Sequence, residues 1–371
     1  MSFKINRFAI SVLVGIFSVL FLPFFPNALA LGADSPPIKI ASWASPVGSQ
    51  ALTYESLCGL RSLLSFLNAN HGLDREAQLF SLDMDDSHPE FLTRLGLLLD
   101  QKKPDLVVGG AASAFPRATS EFLKRRGLLW YGPWSNSQRL INQGDNPTLL
   151  LPTEDQELAA LMGYMAKTGR KEAVFVHVKS ERSKEIVVIA EATAAQNGLT
   201  LRLLPVAPEF RNWPSLLEPL KEAEAIFLWL PPGPSAAVAR SLKDSLNPQT
   251  LWLTHSLNSP GHELVTMTAG LWENTIFPAV LIPKETIPPN YDVVIRKYGP
   301  PGLSLDYQTY LGFAQGQILA RALKDSKALT PESLPQTPTE GTLIFAPPQA
   351  GNLASFYLAI SDREGGWRPA N

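Results

Sequence analysis

The chain has 371 residues, 45% apolar and 18% charged, and its 32 basic side chains nearly balance 34 acidic ones for a net charge of −2. A surface this close to neutral, with no Lys/Arg cluster, argues against nucleic acid as a partner, and the apolar content argues against an unfolded chain. The one cysteine, Cys58, rules out an internal disulfide; flanked by Leu57 and Gly59, and without a lipoprotein-type box before it, it reads as a buried apolar position.

At the N-terminus, Lys4 and Arg7 precede an apolar run from Phe8 to Phe25, which is followed by Ala28-Leu29-Ala30. A basic start, an apolar stretch and a small-residue cleavage site read as a secretory signal peptide over residues 1–30. An uncleaved anchor is the alternative, because the run is nearly long enough to span a bilayer. Removing 30 of the 371 residues leaves 341 and takes away two basic and no acidic side chains, so the charge becomes −4. That length is enough for two lobes of ordinary domain size, and the signal peptide predicts an extracytoplasmic location.

Beyond Ser35-Pro36-Pro37 the pattern alternates strand and helix, the order that builds a parallel sheet covered by helices. Apolar runs predict strands at Ile38 to Trp43, Gln78 to Leu82, Leu106 to Val108, Leu128 to Tyr131, Ala173 to Val178, Thr200 to Leu204, Ala225 to Leu230 and Thr250 to Thr254. Three- and four-residue apolar spacing predicts helices at Leu57 to Asn68, Phe91 to Asp100, Phe115 to Arg125, Gln156 to Thr168, Ile186 to Gln196, Trp213 to Ala223 and Ala236 to Leu246. Thr153 with Gln156 three residues later has capping-box spacing and marks a fresh start after the polar run Asn142 to Pro152. Later elements are a β-like Thr275 to Leu281, a helix at Tyr307 to Leu323, and short strands at Thr342 to Phe345 and Phe356 to Ile360. The fold class expected is α/β, with two doubly wound parallel-sheet lobes. The 32 prolines, above the ~5% of an average chain, concentrate late and stiffen connections.

The stretch from Lys103 to Asn136 carries two ligand-ready turns. After Leu106 to Val108, the small residues Gly109 to Ser113 lead into a helix, leaving backbone N–H groups and the Ser113 hydroxyl free. After Leu128 to Tyr131 comes a polar turn with Trp134, Ser135 and Asn136. Parallel strands end at one edge, so the two turns are neighbours and suit a carboxylate or another small polar group.

An ordered series of segments resembles one family. IKIASWASPVGSQALTYESLCGLRSLLSFLNANHGL is similar to an opening strand, ligand loop and first helix; LDMDDSHPEFL, PDLVVGGAASA, YGPWSNSQRL, ENTIFPAVLIP and YLGFAQGQILARAL follow in the expected order. Together they resemble the type I periplasmic binding proteins of ABC importers, in the branch of the leucine/isoleucine/valine-binding protein. The resemblance implies two lobes joined by a three-strand hinge that close on a small solute. It divides the chain into a first lobe of residues 38–152 plus 279–340 and a second of residues 153–278 plus 341–371.

Family ligand contacts carry over unevenly in the first lobe, the half that holds a carboxylate: Ser113 falls on one of two ligand serines and Ala112 on the other, Asn136 on a threonine, Ser135 on a backbone-contacting alanine, and Tyr54 near an aromatic that covers the ligand. In the second lobe the corresponding positions are Ser183, within Glu181-Arg182-Ser183-Lys184, then Leu230-Pro231-Pro232, and His255, which stands where amino-acid binders carry an acid. An ammonium buried there unpaired would cost several kcal/mol, so an ordinary α-amino acid is not the expected solute. Trp43, Trp134 and Trp229 lie at or near strand ends, as cleft wall or as core. The expected solute is apolar or aromatic with one anionic or hydroxyl group.

Asp83, Asp85, Asp86 and His88 form an acidic cluster that reads as a solvated loop before a helix starting at Pro89-Glu90, not as a metal site. His177 ends a strand, facing either cleft or core. The chain lacks G-x-S-x-G, phosphate-loop, dinucleotide, H-E-x-x-H and Cys-x-x-Cys motifs, so no catalytic residue, metal or cofactor is expected. The expected function is solute binding for an ABC importer, as a monomer whose partners are a small solute and a membrane permease. A sensory protein reporting to a membrane receptor, or a hydrolytic enzyme, is the alternative.

Overall fold

The computed structural model describes residues 36–45, 51–84, 88–109, 116–132, 151–260, 262–281, 283–325, 357–364 and 366–370. Its strands form two sheets. In the first, β1 (Ile38–Ala44), β2 (Ala77–Asp83), β3 (Leu106–Val108) and β4 (Leu129–Tyr131) lie in the order β2-β1-β3-β4, all parallel. β1 and β3 are buried almost throughout, as parallel strands covered on both faces must be. One face packs Ala41, Trp43, Val107 and Trp130 against α2 (Phe91–Lys102) and α3 (Pro116–Arg125). The other packs Ile40, Leu106, Val108 and Tyr131 against α1 (Ala51–Ala69) and a late helix, α10 (Tyr307–Asp325).

The second sheet holds β5 (Glu172–Val178), β6 (Thr200–Val206), β7 (Ala225–Trp229), β8 (Leu251–Thr254) and β9 (Thr275–Ala279) in parallel. An antiparallel hairpin, β10 (Tyr357–Ser361) and β11 (Trp367–Pro369), extends it beside β9. Alternate residues divide between two cores. Phe175, Phe227 and Leu253 face α4 (Glu154–Lys167) and α5 (Glu181–Gln196). Val174, Val176, Ile226 and Leu228 face the other helical layer, α6 (Leu217–Leu220), α7 (Pro232–Leu242) and α8 (His262–Thr268).

The chain returns from β9 through Val280 and Leu281 to α9 (Pro289–Tyr298) and α10, both of which pack on α1. This crossing is pinned by Tyr307, whose hydroxyl accepts the Val280 N–H at 2.9 Å and whose ring meets Phe277 and Trp367 at 5.4 and 4.9 Å. A second expected crossing, at 152/153, runs from Leu151 in the first-sheet core to the Thr153 cap of α4, and the expected boundary at 340/341 lies outside the described residues.

Helices α1 and α10 approach so closely that side chains are excluded at two points. A Cβ on Gly59 would lie 2.0 Å from the Thr309 carbonyl oxygen, and one on Gly312 would lie 1.7 Å from that of Ser56. Backbone cannot move aside as a flexible side chain can.

Most elements stand where apolar periodicity predicts them, and Thr153 and Gln156 form their reciprocal cap, with Thr153 N–H donating to Gln156 Oε1 at 3.0 Å. α1 begins at Ala51, ahead of the expected Leu57, and α7 at Pro232, ahead of Ala236; three further differences have local causes. α5 starts at Glu181 instead of Ile186, because Ser180 and Ser183 cap each other. The expected Trp213 to Ala223 helix breaks into a 3-10 turn and the short α6, since Pro214 and Pro219 lack backbone donors. α8, α9 and β11 escaped the periodicity reading, being short and, for α9, started by Pro288-Pro289. The expected strand at Thr342 to Phe345 lies outside the described residues.

Cys58 is 1% exposed and free. Lys243 is also largely withdrawn from water: its ammonium donates to Glu273 O and Thr275 Oγ1 and sits 5.2 Å from the Trp252 ring. Desolvation lowers its pKa from 10.5 to about 8, against the opposing pull of Glu273 and Asp244.

Two predictions follow from this packing. Gly312→Ala should cost about 1–3 kcal/mol or more, read as a lower denaturant midpoint; an unchanged midpoint would mean that the two helices do not touch there. Between pH 8 and 10.5 the unfolded chain keeps the Lys243 proton that the folded chain has released, so raising pH across this window favours the folded state. The gain is at most about 3 kcal/mol and should be absent in Lys243→Met, measured as melting temperature against pH for both proteins.

Candidate functional site

Parallel pairing sends the carboxyl ends of β5, β7 and β8 to one edge of the second sheet, where three ring-bearing residues share a face. His177 ends β5 opposite Trp229 of β7. Trp229 stacks on Phe175 at 5.8 Å and lies 5.1 Å from the ring of His255, just past β8. The tryptophan is only partly buried, while His177 and His255 are 6% and 7% exposed. His177 Nδ1 is 3.2 Å from the Val178 carbonyl, and its buried Nε2 meets no partner among the described residues. The edge is therefore an apolar wall carrying an unmatched imidazole nitrogen.

Behind this wall, polar groups hold the loops rigidly. His255 Nε2 is 3.0 Å from the Leu230 carbonyl. Asn258, fully buried, places Nδ2 2.9 Å from each of Leu230 O, Ser235 Oγ and Thr254 Oγ1, tying the loop after β8 to the loop after β7. Glu157, in the first turn of α4, is fully buried and accepts from the Ser256 N–H and hydroxyl. Its carboxyl group lies near the positive end of that helix.

A second polar chain joins the two lobes. Ser56 Oγ donates to Gln308 Oε1 at 3.0 Å, and Gln308 Nε2 donates to Ser259 Oγ at 2.7 Å, all three residues being buried. Ser56 lies on α1, which follows β1, and Ser259 lies in the loop that follows β8. The relay thus links the carboxyl-end side of one sheet to that of the other, the region where parallel α/β sheets bind ligands.

Of the residues singled out from sequence, Trp229 and His255 come together on the wall. Ser183 does not offer a free hydroxyl: its Oγ accepts from the Ser180 N–H at 2.9 Å and donates to the Ser180 carbonyl at 2.8 Å, closing the α5 cap. Trp43, considered as cleft wall or core, is 1% exposed and packs in the core against Phe91 and Trp130. Tyr54, on the first turns of α1, is half-buried, and its phenol is raised in pKa chiefly by the neighbouring Cys58, with burial second. Ala112, Ser113, Trp134, Ser135 and Asn136 lie outside the described residues, as do Asp85 and Asp86. His88 Nδ1 accepts the Glu90 N–H at 3.2 Å, a local turn contact. Glu157, Asn258 and Gln308 were not singled out from sequence; the signal available for Glu157 was its place beside Gln156 in the capped first turn.

The chain belongs to the periplasmic binding protein family, whose model matches residues 37–350. A comparison with curated proteins finds no match. Among solved structures, a possible leucine/isoleucine/valine-binding protein from Rhodopirellula baltica SH 1 is 16% identical with a TM-score of 0.75, covering 93% of this chain and 98% of its own. A branched-chain amino acid transporter substrate binding protein from Streptococcus pneumoniae, in complex with isoleucine, is 16% identical with a TM-score of 0.73, covering 90% and 99%. A solute binding protein of an ABC transporter from R. palustris, in complex with benzoate, is 15% identical with a TM-score of 0.69, covering 90% and 96%. Identities this low establish the shared type I fold of two α/β lobes. No helix among the described residues is long and apolar enough to cross a membrane.

Asn258→Ala should lower stability by about 1–3 kcal/mol by leaving the Leu230 carbonyl and the Ser235 and Thr254 hydroxyls short of a donor. Chemical denaturation reads this directly, and a wild-type midpoint would show that water replaces the amide at no cost.

Proposed function

We propose that this chain is the extracytoplasmic solute-binding component of an ABC-type importer, binding a small carboxylate with an aromatic or aliphatic body between its lobes and releasing it unchanged to a membrane permease. The observation that carries the reading is the wall of Trp229, His177 and His255 at the carboxyl edge of the second sheet. The resemblance to leucine/isoleucine/valine-binding proteins puts His255 where amino-acid binders carry an acid. The nearby carboxylate, Glu157, is fully buried and engaged by Ser256, which makes it a poor partner for a ligand ammonium. An apolar body against Trp229, with a carboxylate held by N–H and hydroxyl donors of the first lobe, suits these surroundings.

The first-lobe half of this reading rests on Ser113, Ser135 and Asn136 with the backbone at Ala112, and on Tyr54 over the ligand; Trp134 is a further wall candidate. The related R. palustris protein holds benzoate, an aromatic carboxylate, in the same fold, which supports the solute class. Closure follows if the solute touches both lobes, because only differential affinity for the closed state shifts the equilibrium. A monomer exported through its first 30 residues fits this role.

Thermal unfolding with benzoate, phenylacetate, octanoate, leucine and isoleucine tests the proposal. Aromatic or aliphatic carboxylates should raise the melting temperature, by about 2.7 kcal/mol of added stability at one hundred times Kd, and the two amino acids should not. Trp229→Ala should weaken the effective carboxylate about tenfold or more while the protein stays folded. Stabilisation by leucine and isoleucine alone would overturn the assignment.

A further inference from the structure

A cavity of about 370 Å³ is lined by residues from elements on both sides of the seam between the lobes. Asp292, Arg296 and Tyr310 belong to α9 and α10, which pack on α1 and so on the first sheet, and Lys284 lies in the segment that leads into α9. Val265 is on α8, and Glu364 is in the turn between β10 and β11, both parts of the second sheet's lobe. The volume falls in the lower range of pockets that hold small organic ligands.

The inner surface is built rather than accidental. Tyr310 and Asp306, at the start of α10, are 2% and 5% exposed. Tyr310 donates its hydroxyl to Asp292 Oδ1 at 2.5 Å, and Asp306 Oδ1 caps α10 by accepting the Thr309 N–H at 2.9 Å. Two of the acids are thereby partly occupied. The cations are not: among the described residues, neither Lys284 nor Arg296 makes a side-chain hydrogen bond or ion pair, although three carboxylates line the same cavity. Glu364, from the second sheet's lobe, is exposed. The first-lobe side therefore presents two cations without an ion pair among the described residues, beside two carboxylates that accept from the Tyr310 hydroxyl and the Thr309 N–H, and the second-lobe side adds the carboxylate of Glu364.

We infer that this cavity is a second ligand site, separate from the site on the ring-lined wall, and that it takes a small zwitterion whose anionic group meets Lys284 and Arg296 while its ammonium meets Glu364. A lone anion would leave the carboxylates uncompensated, and a lone cation would meet the two basic side chains, so opposite charges on one molecule fit the rim best. Because its walls belong to different lobes, a molecule bridging them biases the angle at which the lobes rest and so couples to solute affinity. The inference does not depend on the solute proposed above.

Isothermal titration calorimetry of the full mature chain with β-alanine, 4-aminobutyrate and 6-aminohexanoate tests it, with butyrate and butylamine as singly charged controls. The expected result is saturable binding of at least one ω-amino acid, about tenfold or more tighter than either control. Glu364→Gln and the double variant Lys284→Ala with Arg296→Ala should each weaken that binding about tenfold, whereas Trp229→Ala leaves it unchanged. All of these positions are at least partly exposed, and Glu364→Gln changes only a surface charge, so folding is retained. Absence of saturable heat with all three compounds overturns the site. So does binding that survives both rim variants, and loss of binding in Trp229→Ala would reassign it to the ring-lined wall.

Discussion

Parallel strand pairing is the constraint on which the architecture depends. A parallel strand cannot be joined to its neighbour by a tight turn, so every return needs a helix on a face of the sheet, and all the strands then finish at the same edge. That single requirement explains why β1 and β3 are buried on both faces and why the loops after β5, β7 and β8 crowd together. It also explains why those loops are held by so many polar contacts. Where successive chain ends meet at an edge, their carbonyls need donors, and Asn258, Ser235 and Thr254 supply them without help from a regular ladder.

Joining two such sheets raises a different problem, because the chain leaves the first and must come back to cover it. The return depends on α10 fitting against α1 at backbone distance, which Gly59 and Gly312 permit. Once α10 is seated, its first turn places Gln308 between Ser56 and Ser259 and Tyr307 against Val280. The amide of Gln308 accepts from one lobe and donates to the other, so any rotation that separates the lobes at this point must supply new partners for both ends. This polar tie fixes the register of a seam that is also apolar, since Tyr307 packs on Phe277 and Trp367 within one core shared by both lobes.

Much of this was legible in the sequence, and the exceptions have physical causes. Strands such as Leu106–Val108 are recognisable because full burial demands an unbroken apolar run. The α4 start was readable because a Thr/Gln pair at three-residue spacing has one dominant use. The region after Lys179 misled because Glu181, Arg182 and Lys184 are polar like a loop, while the deciding interaction was a hydroxyl pair, Ser180 with Ser183. Trp43 illustrates the opposite ambiguity: a tryptophan at a strand end faces cleft or helix layer depending on one residue of register, and here it faces α2. The long-range partners of Gln308 and Glu157 could not be inferred, since nothing local in a chain identifies a contact 49 or 99 residues away.

Cys58 sits inside this arrangement, on α1, one residue before the glycine that receives α10. Burial pushes its thiol up in pKa, against the opposing pull of Arg61, so little thiolate forms at neutral pH. An oxidising environment acts on thiolates that solvent can reach, and this sulfur offers neither charge nor access. The folded molecule therefore needs no reductant to stay free of intermolecular disulfide bridges, and alkylation of this thiol under native conditions reports how often the two glycine-bearing helices come apart.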